Sequence, residues 1–135
     1  MSRVVYDPAA TSIIVDLVLE SRDGIYSAVI PTVLDTGASY TIVATDVLTR
    51  LGYDPASPLL ERQRIVTGSG IESAPSLTVR SASAIGQKVN GLDVLCHDLP
   101  AESAVDGLLG LNFLKQFKLT IRFRRGIIEL VRERN

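Results

Sequence analysis

The residues best suited to chemistry are an aspartate, a threonine and a glycine that directly follow an apolar run. Residues 28–34 read Ala-Val-Ile-Pro-Thr-Val-Leu, and Asp35, Thr36 and Gly37 come next. The pattern predicts a buried strand that ends in a tight loop, which Gly37 permits. A carboxylate at the end of such a strand is costly to desolvate, so its presence indicates a chemical role. Taken alone, the same three residues are also typical of a surface β-turn.

Two further clusters could in principle carry chemistry. The segment Thr67-Gly68-Ser69-Gly70 is rich in glycine, but it lacks the Lys-Ser/Thr ending of a phosphate-binding loop, which argues against nucleotide binding. Cys96 and His97 are adjacent, and neighbouring residues in a strand point to opposite faces, so they do not form a nucleophile–base pair. We predict a small core residue at Cys96 and a surface or loop residue at His97. A single His and a single Cys leave little for a transition-metal site.

Length and composition limit the class of protein. A chain of 135 residues with 46% apolar residues is expected to form one domain, residues 1–135, with a packed core. Its net charge of −1 argues against electrostatically driven binding of nucleic acid. One cysteine excludes an intramolecular disulfide. Neither a signal peptide nor an apolar run of membrane-spanning length is evident, so no membrane contact and a cytoplasmic location are expected.

Strand signals dominate the rest of the chain. The turn Arg22-Asp23-Gly24 predicts a hairpin, because Gly24 can take the positive φ that such turns need. Thr45 is a suitable N-cap and Gly52 a suitable stop for a short helix between them. The sequence predicts strands at 13–19, 26–34, 41–43, 62–66, 71–73, 77–79, 87–95, 118–123 and 127–131, and short helices at 45–52 and 113–117.

Three motifs occur in an order that resembles a known family. Asp35-Thr36-Gly37-Ala38-Ser39 is similar to the catalytic signature of aspartic proteases. Residues 65–71 look like a flap hairpin, and Leu108-Leu109-Gly110 is similar to the apolar-apolar-Gly element that packs against the catalytic loop. The chain resembles the retropepsin-like, single-domain aspartic proteases, including bacterial members. The resemblance implies an all-β fold, a retropepsin-like closed acid-protease barrel with one or two short helices.

The resemblance also implies an activity. Aspartic proteases hydrolyse peptide bonds with a water molecule activated by two carboxylates that share a proton. No cofactor is needed, and the substrate is a peptide or protein. This chain has one such motif, so a homodimer would bring Asp35 and its symmetry mate together. Asp106 is a second candidate carboxylate, but it does not match the family's catalytic position and is more typical of a turn.

The remaining roles follow from the same resemblance. Thr36, Gly37 and Ala38 would support the dyad. Ala38 stands where pepsins usually carry a hydroxyl that can donate to the carboxylate. The flap or substrate-binding residues would be Thr67, Gly68, Ser69, Gly70 and Ile71, although a plain hairpin tip is the alternative there. A different class of function also fits: a non-catalytic peptide-binding or dimerisation module that keeps the protease fold.

Overall fold

The computed structural model describes residues 2–133, which are built mostly of strands. The strands are β1 (Ser2–Val5), β2 (Ile14–Glu20), β3 (Ser27–Leu34), β4 (Thr41–Val43), β5 (Arg62–Thr67), β6 (Gly70–Ala84), β7 (Gln87–Cys96), β8 (Gly107–Leu109), β9 (Phe117–Arg122) and β10 (Ile127–Arg132); the helices are α1 (Thr45–Arg50) and α2 (Leu111–Leu114). In this part of the chain neither helix is long or apolar enough to cross a membrane.

Six of the strands form a closed ring. Hydrogen bonding runs in the order β2, β3, β8, β4, β7 and β6, and β6 then pairs with β2 to complete the circle. The register of that last pairing places Leu17 opposite Ala84 and Leu19 opposite Ala82. The predicted all-β closed barrel with two short helices is therefore confirmed.

The barrel closes around side chains that alternate along each strand. In β2, Leu17 and Leu19 are completely buried, whereas Asp16, the neighbour of Leu17 in the strand, is exposed to solvent. This is the period of two expected of a strand with one face on a core. Full burial of each leucine stabilises the fold by about 1.5–3 kcal/mol. α2 adds Phe113, which is also completely buried, to the same core.

Strand β8 lies between β3 and β4, and this arrangement positions the Asp35 loop. β8 runs parallel to β3, with Leu34 opposite Leu109, and antiparallel to β4, with Leu108 opposite Ile42. The chain that leaves β3 must therefore pass over the end of β8 before it enters β4. Residues 35–40 make this crossing, which explains why a tight loop follows the buried strand.

A second, three-stranded sheet in the order β1, β10, β9 packs beside the barrel. Ile128 and Leu130 of β10 point into the common core and are completely buried. On the other face, Glu129 is 8% exposed and pairs with Arg3 at 2.7 Å and Arg122 at 3.8 Å. One carboxylate thus links all three strands.

Two local predictions differ from the structure, and one strand has no predicted counterpart. Thr45 is not the N-cap of α1: Ala44 holds that position, and the Thr45 N–H donates to Asp98 Oδ1 at 2.9 Å. α2 begins at Leu111 and ends at Leu114, earlier than predicted, because the backbone turns into the helix directly after Gly110. β1 was not predicted, since four residues are too few to show a convincing alternation.

Candidate active site

Asp35 lies where β3 meets the crossing loop, and its position is fixed by backbone groups. Its N–H donates to the Leu109 carbonyl at 3.0 Å, and its carbonyl accepts from the Ala38 N–H at 3.2 Å. Its side-chain Oδ1 accepts from the Gly37 N–H at 2.9 Å. The residue is half-buried in this single chain.

The element Leu108-Leu109-Gly110 lies directly beneath this loop. Two hydrogen bonds join the two segments. The Asp35 N–H donates to the Leu109 carbonyl, and two residues further along the chain the Leu111 N–H donates to the Ala38 carbonyl at 2.8 Å. A methyl group at Gly110 would overlap the Tyr40 carbonyl and would lie 3.0 Å from the Ala38 carbonyl oxygen. Gly110 is therefore required by close backbone approach, since its φ of −102° is one that any residue adopts.

Two residues that the sequence analysis did not assign to the site hold its far end. Thr41 is completely buried, and both its N–H and its hydroxyl donate to Asn112 Oδ1, at 2.9 and 2.8 Å. The Gly110 N–H donates to the Thr41 hydroxyl oxygen at 3.2 Å. Asn112 also donates through Nδ2 to the Asp93 carbonyl at 2.7 Å. The sequence did contain a signal for each residue. Thr41 is a polar residue at the start of an apolar strand, and Asn112 follows shortly after Leu108-Leu109-Gly110.

A cavity of about 390 Å³ extends from Asp35 to the β5–β6 hairpin. The residues that border it are Asp35, Gly37, Ala38, Ser39, Tyr40, Ile42, Arg64, Ile65, Val66, Leu95 and Leu108. The hairpin therefore borders the same space as the carboxylate. Its tip, residues 67–70, forms a two-residue turn at Gly68 and Ser69 but does not line the cavity; the strand leading to the tip does.

The other predicted residues of the motif are on the surface of the single chain. Thr36, Gly37 and Ser39 are exposed, and Ala38 is partly buried. Asp106 lies at the opposite end of β8 from Asp35, where its N–H donates to the Pro31 carbonyl. It borders a different cavity together with Asp46 and Asp98. The structure therefore does not bring Asp106 and Asp35 together.

Cys96 is a core residue, as predicted. It is 4% exposed, and burial raises the pKa of its thiol from 9.0 to about 11. His97 is half-buried in the chain after β7, and its Nε2 lies 3.4 Å from Glu72 Oε2 of the hairpin strand β6. Within residues 2–133 no group of three or more His, Cys, Asp or Glu side chains is placed to hold a metal ion.

Comparison with known proteins agrees with this geometry. The model of the gag-polyprotein putative aspartyl protease family matches residues 25–116. A crystal structure of a retropepsin-like aspartic protease from Rickettsia conorii superposes with a TM-score of 0.57, covering 96% of this chain and 92% of that chain at 22% identity. That likeness shows a shared retropepsin-like fold. A search of curated proteins found no match. Because the family model spans more than half of the sequence, the chain belongs to the gag-polyprotein putative aspartyl protease family.

Proposed function

We propose that this chain is an aspartic endopeptidase that works as a homodimer. Asp35 of each protomer supplies one carboxylate of a dyad. One carboxylate takes a proton from a water molecule that attacks the peptide carbonyl, while the other, protonated, donates a hydrogen bond to the carbonyl oxygen. Residues 1–135 act as one domain, and water and peptide are the only reactants.

One observation carries the proposal. Within the part of the chain that the structure describes, Asp35 is the sole carboxylate bordering a cavity that β5 of the hairpin also borders. The loop around it is fixed by hydrogen bonds to β8 and by the close approach of Gly110 to Tyr40. Such fixed positioning is what a group must have to act on a bound substrate. A second carboxylate must come from a second copy of the chain.

The remaining motif residues have supporting roles in this proposal. Thr36 and Gly37 lie beside Asp35 on the exposed side of the loop, where a symmetry mate would contact them. Ala38 contributes no hydroxyl to the carboxylate. The hairpin tip, from Thr67 to Ile71, closes over bound peptide as a flap, and the cavity beside Asp35 receives the substrate.

The direct test is Asp35→Asn assayed on a diverse peptide library, with cleavage sites read by mass spectrometry. We expect cleavage by the wild type and a loss of at least about a hundredfold in the variant, because the general base is gone. The fold should persist, since the asparagine oxygen can still accept from the Gly37 N–H.

Asp106→Asn is the matched control, because it removes a carboxylate at the other end of β8. It should leave the rate unchanged. Full activity in Asp35→Asn, or loss of activity in Asp106→Asn, would contradict the assignment of the dyad. Binding of peptides by the wild type without any cleavage would favour the non-catalytic module instead.

A further inference from the structure

The cavity beside Asp35 contains one charged side chain besides that aspartate. Arg64 of β5 borders it, and the other lining residues are apolar or small and uncharged apart from the Tyr40 and Ser39 hydroxyls. A guanidinium group keeps its charge at any pH at which a protein is folded. A peptide in this cavity therefore meets a mostly apolar surface with one fixed positive charge.

Arg64 has no partner of its own within residues 2–133, where it makes neither an ion pair nor a side-chain hydrogen bond. Arg62, two residues earlier on the same face of β5, is different. Its Nε donates to Ser73 Oγ at 2.8 Å and its Nη2 to the Ser73 carbonyl at 2.9 Å. One arginine thus stabilises the hairpin, whereas the next borders the cavity and has donors that no group within residues 2–133 occupies.

We propose that Arg64 selects peptide substrates that carry an aspartate or glutamate near the cleavage site. The inference rests on the proposed peptidase function and adds the class of substrate. A planar guanidinium group can bind a carboxylate through two parallel hydrogen bonds, which gives both attraction and geometric selectivity. The glutamine and asparagine analogues of the same peptide would lack the charge and lose this advantage.

The position of Arg64 on the hairpin indicates where the acidic residue lies. Arg64 and Asp35 border the same cavity of about 390 Å³. The acidic residue of the peptide therefore lies within the few residues on one side of the bond held at Asp35. In a twofold dimer each half of the cleft carries one Arg64, and the preference therefore applies on both sides of that bond.

The experiment compares peptides with an apolar centre in which each outer position carries Glu, Gln or Lys in turn. For the wild type we expect kcat/KM to be about 1.5-fold to fivefold higher for Glu than for Gln at the preferred position, the range of an exposed ion pair. The preference should shrink at high salt, because ions screen exposed charges.

Four variants separate charge recognition from hairpin stability. Arg64→Gln should remove the preference for Glu, Arg64→Lys should retain part of it, and Arg64→Glu should favour Lys instead. Arg62→Gln is the control and should keep the wild-type preference, since its partner is Ser73. An unchanged preference in Arg64→Gln would overturn the proposal. So would a weakened dimer in Arg64→Gln with the preference intact, because that would assign the arginine to a subunit contact.

The same peptides keep the two proposals separable. Their binding to the Asp35→Asn variant, measured by fluorescence polarisation, reports recognition without cleavage. Preferential binding of the Glu peptides with no cleavage by the wild type would refute the peptidase and leave the role of Arg64 intact. Cleavage without a difference between Glu and Gln would refute only the role of Arg64. Equal or absent binding of the Glu and Gln peptides, together with no cleavage, would refute both.

Discussion

Asp35 is held by backbone hydrogen bonds, not by charged neighbours. The Gly37 N–H reaches its side chain, and the Leu109 carbonyl accepts its N–H. The bond to the Leu109 carbonyl does not involve the carboxylate, so the loop keeps its place on β8 when the side chain of residue 35 is changed.

Cys96 provides a test of the core at the scale of one residue. Its thiol has a pKa of about 11 and is 4% exposed. At pH 8 the thiolate fraction should be about a hundredfold lower than for a thiol with the ordinary value of 9.0. We expect a thiol reagent to react orders of magnitude more slowly with native than with denatured protein. In a Cys96→Ala background, Ala101→Cys on an exposed loop should react rapidly.

The same thiol makes stability depend on alkaline pH. Its pKa is raised in the native state, so its contribution is fully present below the unfolded value and is lost as pH rises through about 11. Cys96→Ala should therefore lose less stability than the wild type between pH 9 and pH 11, measured by denaturant unfolding. Rapid labelling of native Cys96 together with loss of cleavage would instead support a thiol mechanism.

The sequence predicts a site residue when its chemical type is unusual for its position. It does not predict residues that meet only because the chain folds. Asp35 stood out because a carboxylate followed an apolar run. Thr41 and Asn112 did not, although they meet at 2.8 Å, because they are 71 residues apart in the sequence. Only the insertion of β8 between β3 and β4 brings them together.

At the scale of elements, the fit of β8 under the Asp35 loop depends on Gly110. A methyl group there would collide with the Tyr40 carbonyl, which belongs to the backbone and cannot rotate away. We expect Gly110→Ala to destabilise the protein by about 2–3 kcal/mol, as overpacking of a filled site does. Cleavage should also fall, because the loop carrying Asp35 must shift.

Gly68→Ala is the matched control for this substitution. A methyl group on Gly68 would meet no atom within 4 Å, so stability should change little. Denaturant unfolding of both variants gives the comparison. Equal stability of Gly110→Ala and the wild type would show that the contact between β8 and the loop is looser than the structure indicates.

The β5–β6 hairpin carries two apolar side chains that have little cover in the single chain. Val66 is 85% exposed and its partner across the hairpin, Ile71, is 67% exposed. If the hairpin closes over substrate, changing both to serine should raise KM severalfold while leaving the melting temperature nearly unchanged, because little buried area is lost. Ile25→Ser, in the connection between β2 and β3 and at 82% exposure, should affect neither quantity. An unaltered KM for the double variant would reduce this segment to a plain hairpin.

The lengths of elements were less predictable than their existence. β6 runs without a break from Gly70 to Ala84 and through Pro75, where the sequence predicted two separate strands at 71–73 and 77–79. The proline is tolerated because β6 changes partner there: Pro75 pairs with Arg62 of β5, and Ser76 pairs with Leu95 of β7. Because proline has no backbone N–H, one hydrogen bond is missing at this change of partner, and its absence costs the sheet little stability. No local sequence signal shows where the change of partner occurs.

At the scale of the whole molecule, the pairing of strands that are distant in the sequence is the feature that local sequence patterns do not predict. Strands were predicted from alternating apolar residues, but the ring closes through β2 and β6, whose paired residues Leu17 and Ala84 are 67 positions apart. Pairings at that separation depend on the complete topology rather than on either strand. The resemblance to retropepsin-like proteases implied the barrel before any pairing was known.

Assembly is the property of the whole molecule on which the proposed mechanism depends. Asp35 and Asp106 lie at opposite ends of β8, so one chain does not supply a pair of carboxylates from these two residues. At about 3 Å separation two carboxylates share one proton, and a single carboxylate lacks this arrangement. In the proposed mechanism a second copy of the chain completes the site.

If the dimer is the active species, specific activity should fall on dilution and rise to a plateau as dimers form, in step with the mass measured by sedimentation. Equal amounts of wild type and Asp35→Asn, after subunit exchange, should retain about a quarter of the activity of the same total amount of wild-type protein, because only that fraction of dimers carries two aspartates. An active monomer would retain about half, since each wild-type chain would work alone. Mixing with Asp106→Asn should cause no loss, because both Asp35 side chains remain in every dimer.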